Sequence, residues 1–323
     1  MSDTSLQQLS PTGRLSSRTS AFNRLTRSVK RYGVFYLMLL PGLVWYLIYR
    51  YVPMLGVIIA FKNFNIMQGI FGSPWANPWY QNFQEFFQSP YFFELISNTL
   101  IISLLKLIFG LVPPLTLAIL LHECKVGWYR RLIQTLTYMP YFLSWVIIYG
   151  ILLAFLSQTS GLVNHWIEAL GGQAIPFLTS NQWFRSVLVG SDIWQSAGWG
   201  AIIYLAAIGG INPAIYEAAR VDGAGRLRTI WHITLPGIRS VIILLLILRL
   251  GSILDAGFDQ IYILYNIQVY PVSDIIDTWV FRTGLQQLNF SLGTAVGLFK
   301  SCIGFLLVIL SNRLAKKWGE GIW

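Results

Sequence analysis

Six apolar runs, at 33–61, 93–121, 132–155, 185–208, 239–263 and 289–311, constrain this chain more than any other feature of it. As a helix rising 1.5 Å per residue, each is long enough to cross a hydrocarbon layer about 30 Å thick. Inside such a layer a helix satisfies its own backbone N–H and C=O groups, which an open strand does not. The expected fold class is therefore an all-α membrane protein with six transmembrane helices. Composition agrees: 55% of the 323 residues are apolar and only 11% are charged, against roughly 25% charged in a soluble domain. Pro41 and Pro53 interrupt the first run, Pro113 and Pro114 lie in the second, and Pro140 lies in the third. Cys124 and Cys302 fall in a connecting loop and a span, so no disulfide is expected.

Between the runs, 62–92 is rich in aromatics (Trp75, Trp79, Tyr80, Phe83, Phe86, Phe87) and reads as an interfacial helix and loop. The segment 156–184 reads as a loop with a short amphipathic helix near 163–170, and 264–288 as another loop, holding Asp274, Asp277 and Trp279. Lysine and arginine are distributed unevenly. Arg14, Arg18, Arg24, Arg27, Lys30 and Arg31 precede the first run, Lys125, Arg130 and Arg131 follow the second, Arg220, Arg226, Arg228 and Arg239 follow the fourth, and Arg313, Lys316 and Lys317 follow the last. On the opposite side stand only Lys62, Arg185 and Arg282. By the positive-inside rule both termini are cytoplasmic, so the net charge of +10 reflects topology and calls for no nucleic acid. The domain reading is a basic cytoplasmic tail at 1–31, a six-helix membrane domain at 32–317 and a cytoplasmic end at 318–323.

The segment 212–237, NPAIYEAARVDGAGRLRTIWHITLPG, is long for a connection between bundle helices, which usually takes roughly 2–8 residues. Asn212 is placed to cap a helix starting at Pro213, with Ile211 and Tyr216 at the two positions of a hydrophobic staple. Helical spacing puts Ala214, Glu217, Ala218 and Val221 on one face, where small residues allow close approach. Gly223 and Gly225 supply left-handed freedom for a turn, a second helix follows, and Pro236 punctuates entry to the next run. The bland alternative is an amphipathic helix lying on the membrane surface.

Glu217, Ala218 and Ala219, then Gly223, then Ile233, Leu235 and Pro236, resemble without gaps the EAA, G and I-x-LP spacing of the membrane subunits of bacterial ABC importers. The resemblance implies the permease fold of those importers, in which this loop is a cytoplasmic coupling helix seated in a cleft of a separate ATPase. Glu217, Ala218, Ala219, Asp222, Gly223, Leu235 and Pro236 would then form the ATPase-coupling element. It also implies a bacterial inner-membrane location and as partners a second homologous permease subunit, two ATP-binding cassette subunits and an extracytoplasmic solute-binding protein. No GxxxxGK[ST] loop occurs in the chain, so ATP and Mg are expected on the partner subunits, with no cofactor on this one. Across 33–317, and in GFDQIYIL at 257–264, the chain is similar to the carbohydrate-importing branch, and most of all to permeases that take up oligosaccharides of acidic polysaccharides, such as those of bacterial alginate importers.

Ionisable residues inside the runs are the remaining candidates. Lys106, Asp192, Arg249, Asp255, Asp259 and Lys300 each cost at least ~2.5–3.5 kcal/mol near mid-bilayer, so they face protein or a water-filled path. One reading pairs Arg249 and Lys300 with Asp255, Asp259 or Asp192 as structural ion pairs; the other has them line the path and compensate an anionic oligosaccharide. His122, His165 and His232 are scattered with no metal-binding spacing, and no nucleophile and base stand together, so an enzyme is not expected. The alternatives are an ABC permease for neutral sugars or another small solute, an ion-coupled secondary transporter, and a membrane enzyme.

Overall fold

The computed structural model describes residues 21–317, and every regular element among them is helical. Arg14 and Arg18 of the basic tail, and 318–323, lie outside the described residues. The chain divides into two units, one ending at Gly56 and one starting at Val57. In the first, α1 (Ala21–Tyr46) deviates from helical geometry at Tyr32, where the polar tail gives way to apolar sequence, and it then runs on through Pro41. A wide turn at Leu47–Tyr51 extends it, and a tighter helical stretch, Val52–Phe61, spans the point of division. The stretch Arg31–Phe61 is long and apolar enough to cross a membrane.

In the second unit, the aromatic segment carries α2 (Gly69–Gly72) and α3 (Gln81–Gln88). Lys62, at its start, is 4% exposed: its Nζ donates to the carbonyls of Ile70 at 2.9 Å and Phe71 at 3.2 Å and lies over the Trp75 ring. The frame of the unit is α4 (Phe92–Glu123) packed against α8 (Phe184–Gly209). Between them run α5 (Gly127–Tyr138), α6 (Trp145–Leu156) and α7 (Leu162–Ala169), the last matching the expected amphipathic helix. The expected third span is not one straight helix. The axis turns by 109° between Phe142 and Trp145, where Leu143 and Ser144 are extended and the Ser144 hydroxyl, accepting from the Ile147 N–H, caps a new helix.

Beyond α8 come α9 (Pro213–Val221), then α10 (Arg226–Thr229) and α11 (Leu235–Gly237), which a wide turn joins into one helical stretch, and α12 (Arg239–Gly251). The expected fifth span is also interrupted: after α12 the backbone leaves helical geometry, with Ala256 at φ 47° and Gly257 at φ 87°, before α13 (Phe258–Leu264). The segment expected as a loop at 264–288 is largely helical, with α14 (Tyr270–Ser273), α15 (Ile276–Val280) and a wide turn at Phe281–Gln286. The last helix, α16 (Phe290–Lys317), packs on α3 and α12. Among the described residues three helical stretches are long and apolar enough to cross a membrane, or up to six if each bent pair counts as one span.

Lipid tails are as apolar as leucine, so burying apolar side chains does less to hold membrane helices together than it does in water. Buried polar groups therefore matter here. Asn98 of α4 is 2% exposed and donates to the carbonyls of Pro271 at 3.2 Å and Asp274 at 3.1 Å, while its Oδ1 accepts from Arg185 of α8 at 2.7 Å. Thr99, also of α4, accepts from the Ile276 N–H at 3.0 Å. Asp274 in turn holds Arg282; burial works against that guanidinium charge, but the carboxylate 2.5 Å away outweighs it and raises the Arg282 pKa. These ties, rather than apolar contact alone, seat 270–282 against α4 and α8. Replacing Asn98 by Ala orphans two buried carbonyls and one guanidinium donor, and should lower thermal stability in detergent by roughly 1–3 kcal/mol. An unchanged unfolding temperature for Asn98→Ala would show that the ties are incidental.

Candidate functional site

The 212–237 segment takes its shape from local chemistry. The Asn212 Oδ1 accepts from the Ala214 N–H at 3.1 Å and Pro213 opens α9, as expected. At the other end Gly223 adopts φ 77°, the Ala224 N–H reaches the Ala219 carbonyl at 2.9 Å, and the Gly223 N–H reaches Arg220 at 3.1 Å. That double closure is a Schellman turn, which needs a left-handed residue at the position of Gly223. Gly225 does not share this role: at φ −72° in extended backbone it precedes α10. The expected staple residues go to different neighbours. Ile211 joins the apolar cluster of Ala118, Ala201, Tyr204, Ile208 and Ile238, whereas Tyr216 packs on His122 and its hydroxyl meets that of Thr234 at 3.1 Å. Pro236 lies within α11, and the axis then bends by 59° into α12.

One side of the loop is thus fastened through Tyr216, Thr234 and Ile238, and the other is bare. Ala214, Glu217, Ala218 and Val221 are all exposed, Val221 at 88%, and so are Asp222, Gly223 and Pro236; Ala219 and Leu235 are half-buried. Leu227 and Trp231 add exposed apolar surface, at 74% and 67%. A capped helix that presents small side chains, one carboxylate and apolar neighbours has the make-up of a docking surface.

The interior charges gather around the break between α12 and α13. Lys106 of α4 reaches Asp192 of α8 at 3.5 Å, donates to the Ala256 carbonyl at 2.9 Å and contacts the Gln260 side-chain oxygen. Gln260, 1% exposed, donates through Nε2 to the Leu188 carbonyl and the Ser191 hydroxyl, both at 2.8 Å. Ala256 can leave helical geometry here because Lys106 meets its carbonyl, and Gln260 in turn ties Lys106 to α8. Lys300 of α16 pairs with Asp255 at 2.6 Å and with both oxygens of Asp277, at 2.7 and 2.8 Å. The structure therefore keeps Lys300 with Asp255 but assigns Asp192 to Lys106. Arg249 pairs with none of the three expected aspartates, and Asp259 is exposed.

Asp277 is the principal residue that the sequence reading left in a loop. Its signal was a carboxylate flanked by Ile275, Ile276, Thr278 and Trp279, all buried. With Asp192, Asp255 and Asp259 it lines a cavity of about 750 Å³, whose walls include Trp145, Gln195, Phe258, Phe281 and Phe290. Aromatic faces with carboxylate and amide oxygens between them suit the C–H faces and hydroxyls of a sugar. Among the described residues no group of three or more His, Cys, Asp or Glu side chains is placed to hold a metal ion.

Comparison with known proteins places these features in context. The family of binding-protein-dependent transport system inner membrane components matches residues 114–319. The polygalacturonan/rhamnogalacturonan transport system permease protein YteP of Bacillus subtilis (strain 168) is 47% identical over 285 residues, covering 88% of each chain. Protein LplB of the same organism is 45% identical over 293 residues, covering 91% of this chain and 92% of its own. A chain from the crystal structure of a bacterial ABC transporter involved in the import of the acidic polysaccharide alginate superposes with a TM-score of 0.84 at 40% identity, covering 91% of this chain and 99% of its own. A second structure of that kind, a bacterial alginate ABC transporter in complex with an alginate pentasaccharide-bound periplasmic protein, gives the same TM-score.

The Lys300 cluster makes a direct prediction. Lys300→Met leaves Asp255 and Asp277 facing each other without a cation, and should cost roughly 1–3 kcal/mol, less than a fully buried pair because Asp255 is exposed. Adding Asp277→Asn should recover most of that loss in thermal denaturation. A double variant no more stable than Lys300→Met would mean that Lys300 acts by packing alone.

Proposed function

The chain belongs to the binding-protein-dependent transport system inner membrane components, and from that premise we propose that it carries oligosaccharides of acidic polysaccharides through the membrane for a separate ATPase. It is a sugar ABC importer permease, a transport component of an inner membrane system. The observation that carries the substrate reading is that relatives named for polygalacturonan and for alginate each align with about nine-tenths of the chain. Both polymers are built from uronic acids. A neutral oligosaccharide is the second reading, favoured because Lys106 and Lys300 already hold aspartates and the large cavity is lined by four more carboxylate side chains than lysines or arginines.

In this proposal 212–237 faces the cytoplasm with both termini and docks on one of two ATP-binding cassette subunits, which hold ATP and Mg. Glu217 and Asp222 supply charge to that contact, Ala218 and Ala219 allow close approach, Gly223 holds the turn, and Leu235 and Pro236 fix the exit towards α12. A second, homologous permease closes the other side of the path, and a solute-binding protein delivers cargo on the outer face, where 62–92 lies. An ATPase drives the permease only through contacts that differ between the two permease states. What supports α9 as that contact is its mechanical fastening. The Tyr216–Thr234 bond ties α9 to the 226–237 stretch, α8 leads into α9 across a 73° bend and carries Asp192, and α12 leads from the same stretch to Asp255. A push on α9 therefore reaches the interior cluster through two helices.

Glu217→Lys and Gly223→Pro should leave the chain inserted and assembled, yet lower transport per ATP hydrolysed by roughly tenfold or more, as for loss of a charged hot-spot contact. Normal uptake in both variants, measured in proteoliposomes with the co-purified subunits, overturns the coupling role. In the same preparation, ATPase activity should rise with binding protein loaded with oligogalacturonate or oligoalginate. A rise with neutral oligosaccharides alone favours the second reading, and absence of a co-purifying ATPase overturns both.

A further inference from the structure

One interior cation has no carboxylate of its own. Arg249 stands half-buried in the last turn of α12, and among the described residues the ion pairs of the interior go to Lys106 and Lys300 instead. Its guanidinium lies against α4 at Gly110, where a Cβ would come within 3.0 Å of it. An unpaired guanidinium at this depth is unfavourable unless something else meets it. Arg249 lines a second cavity, of about 300 Å³, with Ser103, Lys106, Asp192, Ser252 and Asp255. Ser103 is 6% exposed, and its hydroxyl is the one buried side-chain polar atom without a hydrogen-bond partner among the described residues. Native structures rarely leave such a group unmatched, and ligand sites are among the exceptions.

The other charges at this cavity are already engaged. Asp192 is held by Lys106 at 3.5 Å and Asp255 by Lys300 at 2.6 Å, so neither competes for the guanidinium at ion-pair distance. What remains free is a planar fork of N–H donors and, one turn before Lys106 on α4, a hydroxyl. A carboxylate matches both chemically: its oxygens accept from the guanidinium and, once the enclosed Ser103 side chain turns into the cavity, from its O–H. Asp192, Asp255 and Gly257 border this cavity and the large aromatic one alike, so the two adjoin. The volume sits at the low end of the roughly 300–1,000 Å³ typical of small-ligand pockets, suiting one ring rather than a chain.

We infer that the Arg249–Ser103 cavity is a subsite for one uronate carboxylate of the cargo. The inference rests on the sugar-importer reading above and adds to it the residues that select the anionic sugar. Lys106 and Lys300 hold the helix break together, and Arg249 reads the charge.

The test uses the reconstituted complex with its binding protein and compares uptake of trigalacturonate with uptake of its methyl ester, whose carboxyl groups carry no charge. Arg249→Gln should lower the acid-to-ester uptake ratio by roughly tenfold or more, the loss expected for one charge-assisted hydrogen bond. Ser103→Ala should lower it by about threefold, within the range of one neutral bond, and Arg249→Lys should restore much of what Gln loses. Because the ratio is taken within each preparation, reduced assembly cancels. If Arg249 serves only to balance the aspartates or to meet a carboxylate of the second permease, both cargoes fall in parallel and the ratio stays put, which overturns the subsite. If Arg249→Gln does not assemble, an unchanged ratio in Ser103→Ala overturns it equally. Wild-type uptake of neither cargo marks failure of the uronide reading itself.

Discussion

Removing charge and free backbone from water is the cost around which this fold is arranged, and Lys106 is where it is met most fully. An ammonium in the interior is tolerable only with several acceptors, and here they come from three elements: Asp192 on α8, Ala256 at the break, and Gln260 on α13. The same contacts solve the opposite problem. Where α12 stops, carbonyls lose their helical partners, and the Ala256 carbonyl accepts from Lys106. Gln260 then passes the connection to α8 through Leu188 and Ser191. A lysine and a helix break that are each unfavourable alone become compatible together, and the broken helix leaves room for a cavity beside it.

That arrangement links the exposed loop to the interior. Both α8 and α12 end at or near the 212–237 segment, and both carry carboxylates or cations of the cluster. On the proposed coupling role, a displacement of α9 would reach the places where Lys106 and Lys300 hold their partners, because packed helices shift as units rather than stretch. Lys300 reaches two aspartates from different segments, Asp255 before the break and Asp277 in α15. A cation shared between two carboxylates can lean towards either at little cost, which suits a switch better than a single tight pair.

Much of this was legible in the sequence, and the division is physical. Features decided within one helical turn were visible: the Asn212–Pro213 start, the left-handed Gly223 closing α9, the short α7, and apolar runs of spanning length. Gly225 misled because a glycine permits a left-handed backbone without requiring one. Ser144 was readable as a helix cap before an apolar run, yet the continuous hydropathy across 132–155 hid the 109° corner it makes. The partners of the interior charges were not readable at all. Whether Asp192 faces Lys106 or Arg249 depends on how α4, α8 and α12 pack, and no spacing along the chain encodes that. Asp277 was lost for a related reason: a segment with several polar residues resembles a loop until Asn98, Arg185 and Thr99 are seen to satisfy it from other helices.

A cavity lined by Asp192, Asp255, Asp259 and Asp277 sits oddly beside a polyanionic cargo only if the path is judged as a binding site. A transporter must let go. Conduction needs sites attractive enough to be entered and weak enough to be left. Lysines with their carboxylates already in place give a passing uronate partial compensation without a deep electrostatic well, since each cation must loosen one aspartate before it holds the sugar. Unscreened cations at low dielectric would trap the same ligand, because attraction there is many times stronger than in water. On the uronide reading, then, the surplus of aspartate keeps the aromatic cavity permissive, and discrimination falls to the Arg249 guanidinium, which no aspartate meets at ion-pair distance among the described residues.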